Sequence, residues 1–316
     1  MKVDLNYFPG FTRKAISFTI DDGNIACDTK LINIVKPCGI KGTFNLFHTK
    51  WEGMTHDDYR RFYDGFEIAN HCKSHPFALW DNKEYTYSDE YYEEGMPINE
   101  GVLYKTENPL IHIEMSESYW AHKKRTANNE NYMTLLLEGQ KELEEVFGEG
   151  KIRGFVWPYG GQPNKALREA IENTGLFYGM RSVGSPRENE DFSLPKNRMA
   201  WVYNAYHKNV LERGKQFDEY PDDGNLKWLC FGVHSHDFEL AKNWCELEEF
   251  AQKYGNRKGD FYYATNAEIF DYEDAVKSAV VTENSVYNPS SIDLYIKIDG
   301  KNTVLKAGES ASFDAQ

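Results

Sequence analysis

The sequence predicts a parallel α/β fold, an open sheet or a barrel, with a short antiparallel β appendage at its C-terminal end. Three observations carry this reading. Seven short apolar segments with strand character alternate with helical patterns, the arrangement that builds parallel sheets with crossover helices. Several of these segments run into polar or charged residues at their C-terminal ends, where parallel α/β folds carry their chemistry. From about residue 280 the apolar period becomes two, around a hairpin signal.

Taken in order, Ala15-Ile16-Ser17-Phe18-Thr19-Ile20 alternates and runs into Asp21-Asp22-Gly23. A helix is predicted next, capped by Asp28, with Leu31, Ile32 and Val35 on one face and Pro37 as its stop. Strands follow at 42–47 and 66–69, the second leading into Asn70-His71. Residues 81–130 are rich in Tyr, Glu and Asn with little periodicity, which predicts a functional insertion or a mobile lid. A helical period returns over 133–147, with Gly148 just past its end. A strand at 152–157 precedes a helix opened by Pro163 and ending near Gly175. The strand at 176–180 ends at Arg181, and 182–224 reads as loop, with Pro186, Pro195 and Pro221. The strand at 226–233 runs into His234-Ser235-His236-Asp237, and one helix follows with Leu240, Trp244, Leu247 and Ala251. The last strand of the series is 261–264, and Asn266 caps a helix toward Val276. Ile292, Leu294, Ile296 and Ile298 then alternate before an Asp299-Gly300 turn. The expected division is a catalytic unit over 1–280, with the insertion at about 81–130, and a β appendage over 281–316.

The chain has 316 residues, with 36 basic and 50 acidic side chains and a net charge of −14. A field of that sign repels phosphate backbones and anionic lipid, so no nucleic-acid partner is expected. No stretch approaches the ~20 apolar residues of a membrane span. The first six residues contain no apolar signal-peptide core, which favours a cytoplasmic location and leaves an extracytoplasmic one open if a leader precedes this sequence. The five cysteines are odd in number and form no C-x-x-C pair, so they read as reduced, mostly buried thiols.

The strand ends collect Asp21 and Asp22, His71 and His75, Pro158-Tyr159-Gly160, Arg181, and His234 with His236. Four of nine histidines therefore stand just past strands. The H-x-x-x-H spacing of His71 and His75 puts two imidazoles on one side of a helical turn. Two such nitrogens and a carboxylate make a three-ligand site with a position left open for water, the arrangement of catalytic zinc. Paired carboxylates allow one to bind metal while the other takes a proton from activated water. Cys72 lies between the two histidines but points away from them on a turn, and His48, His56, His112, His122 and His207 read as structural or exposed, with His207 in a loop able to face the cleft. The acidic run from Glu142 to Glu145 reads as a solvated helix face.

Four segments, in order, resemble the motifs of the polysaccharide deacetylase family, carbohydrate esterase family 4. Ser17-Phe18-Thr19-Ile20-Asp21-Asp22-Gly23 is similar to the first, and Glu67 to His71 with Ser74-His75-Pro76 to the second. Phe155-Val156-Trp157-Pro158-Tyr159-Gly160 is similar to the third, and Leu229-Cys230-Phe231-Gly232-Val233-His234 to the last. The resemblance covers about residues 13–275. It implies a distorted (β/α)7 barrel and a hydrolase that removes acetyl groups from an amino sugar or acetylated glycan. It further implies that Asp22, His71 and His75 hold one divalent metal, most often Zn2+, and that Asp21 is the general base. The backbone N–H of Tyr159 then stabilises the oxyanion, beside Trp157, and His234 is the general acid, with His236 as the second candidate. The family's third motif carries an arginine where this chain has Val156, and Arg181 at the next strand end is the candidate replacement. The insertion departs from the smallest family members and is expected over the cleft, contributing Trp80, Tyr85 or Tyr92. Two further readings remain: a hydrolase of small cyclic amides or ureides on the same fold, and a glycan-binding protein with a dead site. Oligomeric state is open.

Overall fold

The computed structural model describes residues 3–49, 53–78, 88–95, 121–127, 129–160, 165–182 and 191–313. Seven parallel strands form one curled sheet: β1 (Lys14–Asp21), β2 (Gly42–Leu46), β3 (Glu67–Asn70), β4 (Gly154–Val156), β5 (Gly179–Arg181), β6 (Lys227–His234) and β7 (Phe261–Tyr263). Their order is β6-β1-β2-β3-β4-β5, with β7 also on β1. One edge of β1 serves two neighbours: β7 takes Lys14 to Ile16 and β2 takes Phe18 to Asp21. The curl is completed by residues 201–205, which bridge both ends of the path, Trp201 to Arg181 of β5 and Ala205 to Phe231 of β6. The result is a distorted (β/α) barrel whose wall is regular strand everywhere except in that short segment.

The two-residue period of β1 decides what faces the barrel interior. Ile16, Phe18 and Ile20 pack outward in one hydrophobic cluster with Leu31, Leu247 and Phe250 of the surrounding helices. Ser17, Thr19 and Asp21 take the opposite face, where Ser17 accepts a hydrogen bond from Trp228 Nε1 at 2.8 Å. A polar interior face therefore leads directly to the site at the C-terminal end of the strand.

Eight helices lie outside the sheet among the described residues: α1 (Ile25–Val35), α2 (His56–Phe62), α3 (Asn129–Phe147), α4 (Lys165–Asn173), α5 (Val210–Asp218), α6 (Ser235–Leu240), α7 (Trp244–Tyr254) and α8 (Asn266–Ser278). Four features of these helices differ from the sequence expectation for local reasons. Asn24, not Asp28, caps α1, its side chain accepting from Cys27 N–H at 3.1 Å. Residues 182–224 are not all loop, since α5 lies within them. The single helix expected after β6 is two, broken at Lys242, whose φ of 54° no helix can contain. The N-cap of α8 is Thr265, in a reciprocal box with Glu268, one residue before the expected Asn266.

Most of the 81–130 insertion, with Trp80, Tyr85 and His112, lies outside the described residues, as does Pro163. Its described parts, Ser88–Gly95 and Ala121–Ala127, pair with each other, and Ala121–Ala127 also pairs with Pro76–Ala78, the strand immediately after His75. The side chains of Tyr92 and His122 are not among those described. At the C-terminal end, Leu294–Ile298 and Lys301–Leu305 form the expected hairpin, turning through left-handed Asp299 and Gly300. Val3–Asp4 joins it as a third strand, a pairing across nearly the whole chain that no local pattern signals.

Candidate active site

The end of β1 changes direction at once. Asp21 closes the strand, and Asp22 and Gly23 adopt left-handed φ values of 76° and 73°. Glycine tolerates this freely, whereas aspartate does so at a cost. The turn leaves Asp21 on the interior face, beside Thr19, and carries Asp22 past the sheet edge toward the loop after β3.

That loop holds His71 and His75, and it is not the helical turn their spacing suggests. Cys72, Ser74 and His75 have φ of 56°, 65° and 47°. Hydrogen bonds hold this strained backbone from below. His71 N–H donates to Leu46 of β2 at 3.0 Å and His75 N–H to Cys72 at 3.0 Å. Asn70 Oδ1 accepts from Cys72 N–H at 2.8 Å, while its amide donates to Leu136 and Gln140 of α3. Gly139 of α3 makes the approach possible, because a Cβ there would stand 3.0 Å from the Lys73 nitrogen. Lys73 in turn pairs with Glu138 and Glu142, so this part of the acidic run is not simply solvated. Cys72 is buried with its thiol toward the backbone of Tyr132, and burial pushes its pKa up, as expected of an inert thiol.

The outcome is a convergence of three donors. Nε2 of His71 and Nε2 of His75 are 3.1 Å apart. Asp22 Oδ1 lies 3.3 Å from the first and 3.5 Å from the second. His71 Nδ1 stands 2.9 Å from the Val156 carbonyl, which accepts its proton and leaves Nε2 with a lone pair. Asp22 Oδ1 is buried and meets no hydrogen-bond donor among the described residues. Burial works against its charge, but His234, His75 and His71 outweigh it and hold the carboxyl well below the usual range. The three groups could hold one metal ion.

Asp21 has different company. Asn45 Nδ2 donates to its Oδ1 at 2.7 Å, and Arg181 Nη2 donates to the same oxygen. Burial again favours the neutral acid, yet the Arg181 charge, with smaller contributions from His71 and His234, holds the carboxyl below its ordinary value. Arg181 is fully buried at the end of β5 and lies 5.5 Å from the ring centre of Tyr203.

At the end of β6, His234 Nδ1 meets Asp237 Oδ2 at 3.1 Å, and its Nε2 lies 3.7 Å from Asp22 Oδ2. Burial lowers the His234 pKa, but Asp22 and Asp237 more than offset it, pushing it up to about 10. The His236 ring lies against His234, centres 5.0 Å apart, and is buried. His207, read from the sequence as structural or exposed but in a loop able to face the cleft, also faces Asp237, its Nδ1 3.3 Å from Oδ2. Tyr159, at φ 56°, packs its ring edge-on to His75 at 4.4 Å and is partly exposed. Trp157 is elsewhere: its indole is buried with Tyr132 and Phe155 in a hydrophobic cluster, because it continues the buried alternation of β4.

Two supporting residues were not visible in the sequence. Asn45 lies inside the strand at 42–47, with no motif around it. Asp28 looked like a cap, yet it is fully buried and accepts from Ser235 Oγ at 2.6 Å and Tyr63 OH at 2.9 Å. Burial pushes its pKa up to about 8. Its hydrogen bond fixes Ser235, between His234 and His236.

A family model described as Polysaccharide deacetylase matches residues 9–179, over half of the chain. Among solved structures, the chain is similar to peptidoglycan deacetylase PdaC from Bacillus subtilis, with 13% identity and a TM-score of 0.46 over 84% of this chain and 94% of that one. It is similar to the Xyl-CE4 domain of a multidomain xylanase from the hindgut metagenome of Trinervitermes trinervoides, with 13% identity and a TM-score of 0.45 over 84% and 92%. A Streptococcus mutans CE4 esterase shows 13% identity and a TM-score of 0.43 over 80% and 86%. No match was found among curated proteins.

Proposed function

The chain belongs to the polysaccharide deacetylase family, and from that premise we propose that it hydrolyses acetyl groups from an amino sugar or acetylated glycan, using one divalent cation. The observation that carries this reading is the donor triangle of Asp22, His71 and His75, with sides of 3.1, 3.3 and 3.5 Å. A tetrahedral zinc site with bonds of 2.0–2.1 Å has edges of about 3.3 Å, and two imidazoles with one carboxylate are a catalytic donor set. The buried, undonated Asp22 Oδ1 and the fixed tautomer of His71 fit the same ion. When bound, such an ion polarises the acetyl carbonyl and lowers the pKa of water toward ~7.

The remaining roles fall to the chain's own groups. Asp21 takes the proton of the attacking water. Arg181 and Asn45 both bind its Oδ1, which keeps it ionised and leaves Oδ2 to receive the proton. Arg181 thus supplies, from β5, the charge that Val156 lacks. Tyr159 presents its backbone N–H to the developing oxyanion. The bond from the acetyl carbon to the sugar nitrogen or oxygen breaks as His234 protonates that atom. Asp237 on Nδ1 orients the ring and leaves Nε2 as the acid. His236 is the second candidate for this role, and the contact with Asp237 favours His234. No serine or cysteine nucleophile is required.

An acetate-release screen tests the proposal, with N-acetylated and O-acetylated oligosaccharides in parallel and zinc-loaded protein. Acetate from at least one glycan is the expected result. Ring opening of a cyclic amide or ureide without acetate release would move the activity to that substrate class. Glycan binding without turnover of any substrate would make the site a recognition module.

A further inference from the structure

The cluster at the end of β6 contains more ligand chemistry than a proton donor needs. His234, His236 and Asp237 each offer a donor atom, all within 4.8 Å of one another. His207 Nδ1 approaches the same Asp237 Oδ2 from the turn before α5, at 3.3 Å, against 3.1 Å for His234 Nδ1. The His234 backbone N–H also points at that oxygen, at 3.1 Å. One carboxylate oxygen thus faces three nitrogens, one more than its two lone pairs can serve.

The geometry points to a second divalent-cation site formed by His234, His236 and Asp237, with His207 as a fourth ligand. Three imidazoles and one carboxylate select zinc, nickel or copper over calcium and magnesium, which prefer oxygen-rich shells. The frame is rigid. His236 is buried, and Ser235 between the two histidines is tied to Asp28. An ion here claims a nitrogen of His234, the group assigned above to proton delivery. Excess transition metal should therefore silence the enzyme while the ion at Asp22, His71 and His75 stays in place. That effect on turnover rests on the proposed function; the site itself does not.

Equilibrium dialysis of chelator-stripped protein against zinc, with metal counted per chain, tests the inference. Wild type should take up two ions, the second more weakly. His71→Ala should lose the tight ion and keep the weak one. His236→Ala, and His207→Ala as a less buried alternative, should keep the tight ion and bind the second at least tenfold more weakly. Near-UV circular dichroism checks that each variant is folded. In wild type, turnover should peak at one equivalent and fall at least tenfold as the second site fills. Saturation of wild type at one ion would overturn the second site, as would unchanged weak binding in both His236→Ala and His207→Ala. Retention of the tight ion by His71→Ala would instead count against the first site and leave the second standing.

Discussion

Arg181 pairs with Asp21 through Nη2, while its Nε and Nη1 meet no acceptor among the described residues. Burying a guanidinium costs several kcal/mol, so its presence in a barrel wall needs a return. Here the return is the ionised base. The opposite charge beside it holds the Asp21 carboxyl down. Arg181→Met should therefore raise the Asp21 pKa, and the acidic limb of kcat/KM should move to higher pH. A limb that does not move would separate Arg181 from the base. His234 gives a prediction of opposite sign. Its pKa of about 10 lies above the ~6.5 of an unfolded histidine. Its contribution to stability is fully present below pH ~6.5 and is lost as pH rises toward 10. In metal-free protein, urea unfolding should show stability falling across that window in wild type and more gently in His234→Gln. Parallel curves would mean that Asp22 and Asp237 do not hold the proton.

At the scale of elements, the site depends on loops whose backbone is left-handed at Asp22, Cys72, Ser74, His75 and Tyr159. Such strain persists only where neighbours over-determine it, and α3 does so through Asn70 and the absence of a side chain at Gly139. Gly139→Ala should gain about 1 kcal/mol of helix propensity, yet its Cβ would press on the Lys73 backbone at 3.0 Å. Global stability should change little, while zinc affinity, measured by competition with a chelating dye, should fall severalfold. Unchanged affinity would show that the loop does not lean on α3. The same elements show what a sequence can reveal. The period of two in β1 and the polar residues after each strand made Asp21, Asp22, His71, His75 and His234 visible. The H-x-x-x-H spacing drew attention for a reason the structure replaces, because the two nitrogens meet across a strained turn. Asn45 and Asp28 were not legible as site residues, and His207 was legible only as a loop residue able to face the cleft. Their partners lie 24, 207 and 30 residues away, and only the closed fold brings them together.

For the whole molecule, the weakest part of the barrel wall is also part of the site's support. Residues 201–205 close the curl beside Arg181, and the ring of Tyr203 lies over Gly232 of β6. A Cβ at Gly232 would stand 2.0 Å from that ring, so Gly232→Ala must displace Tyr203. Overpacking of this kind costs about 1–3 kcal/mol. Thermal unfolding should show the loss, and Tyr203→Ala in the same chain should restore part of it; independent, additive losses would argue that closure does not run through this contact. The central claim is that hydrolysis depends on one ion held by Asp22, His71 and His75. It is tested most directly by titrating zinc into chelator-stripped protein while counting bound ions and acetate released from an acetylated glycan. The account predicts a rate that rises in proportion to the tight ion and peaks at one per chain. It predicts no tight ion and no acetate in His71→Ala, and a full tight ion with at least a hundredfold slower release in Asp21→Asn, within the ~10²–10⁴ range of general-base catalysis. Acetate release at the wild-type rate from metal-free protein, or from His71→Ala, would contradict it.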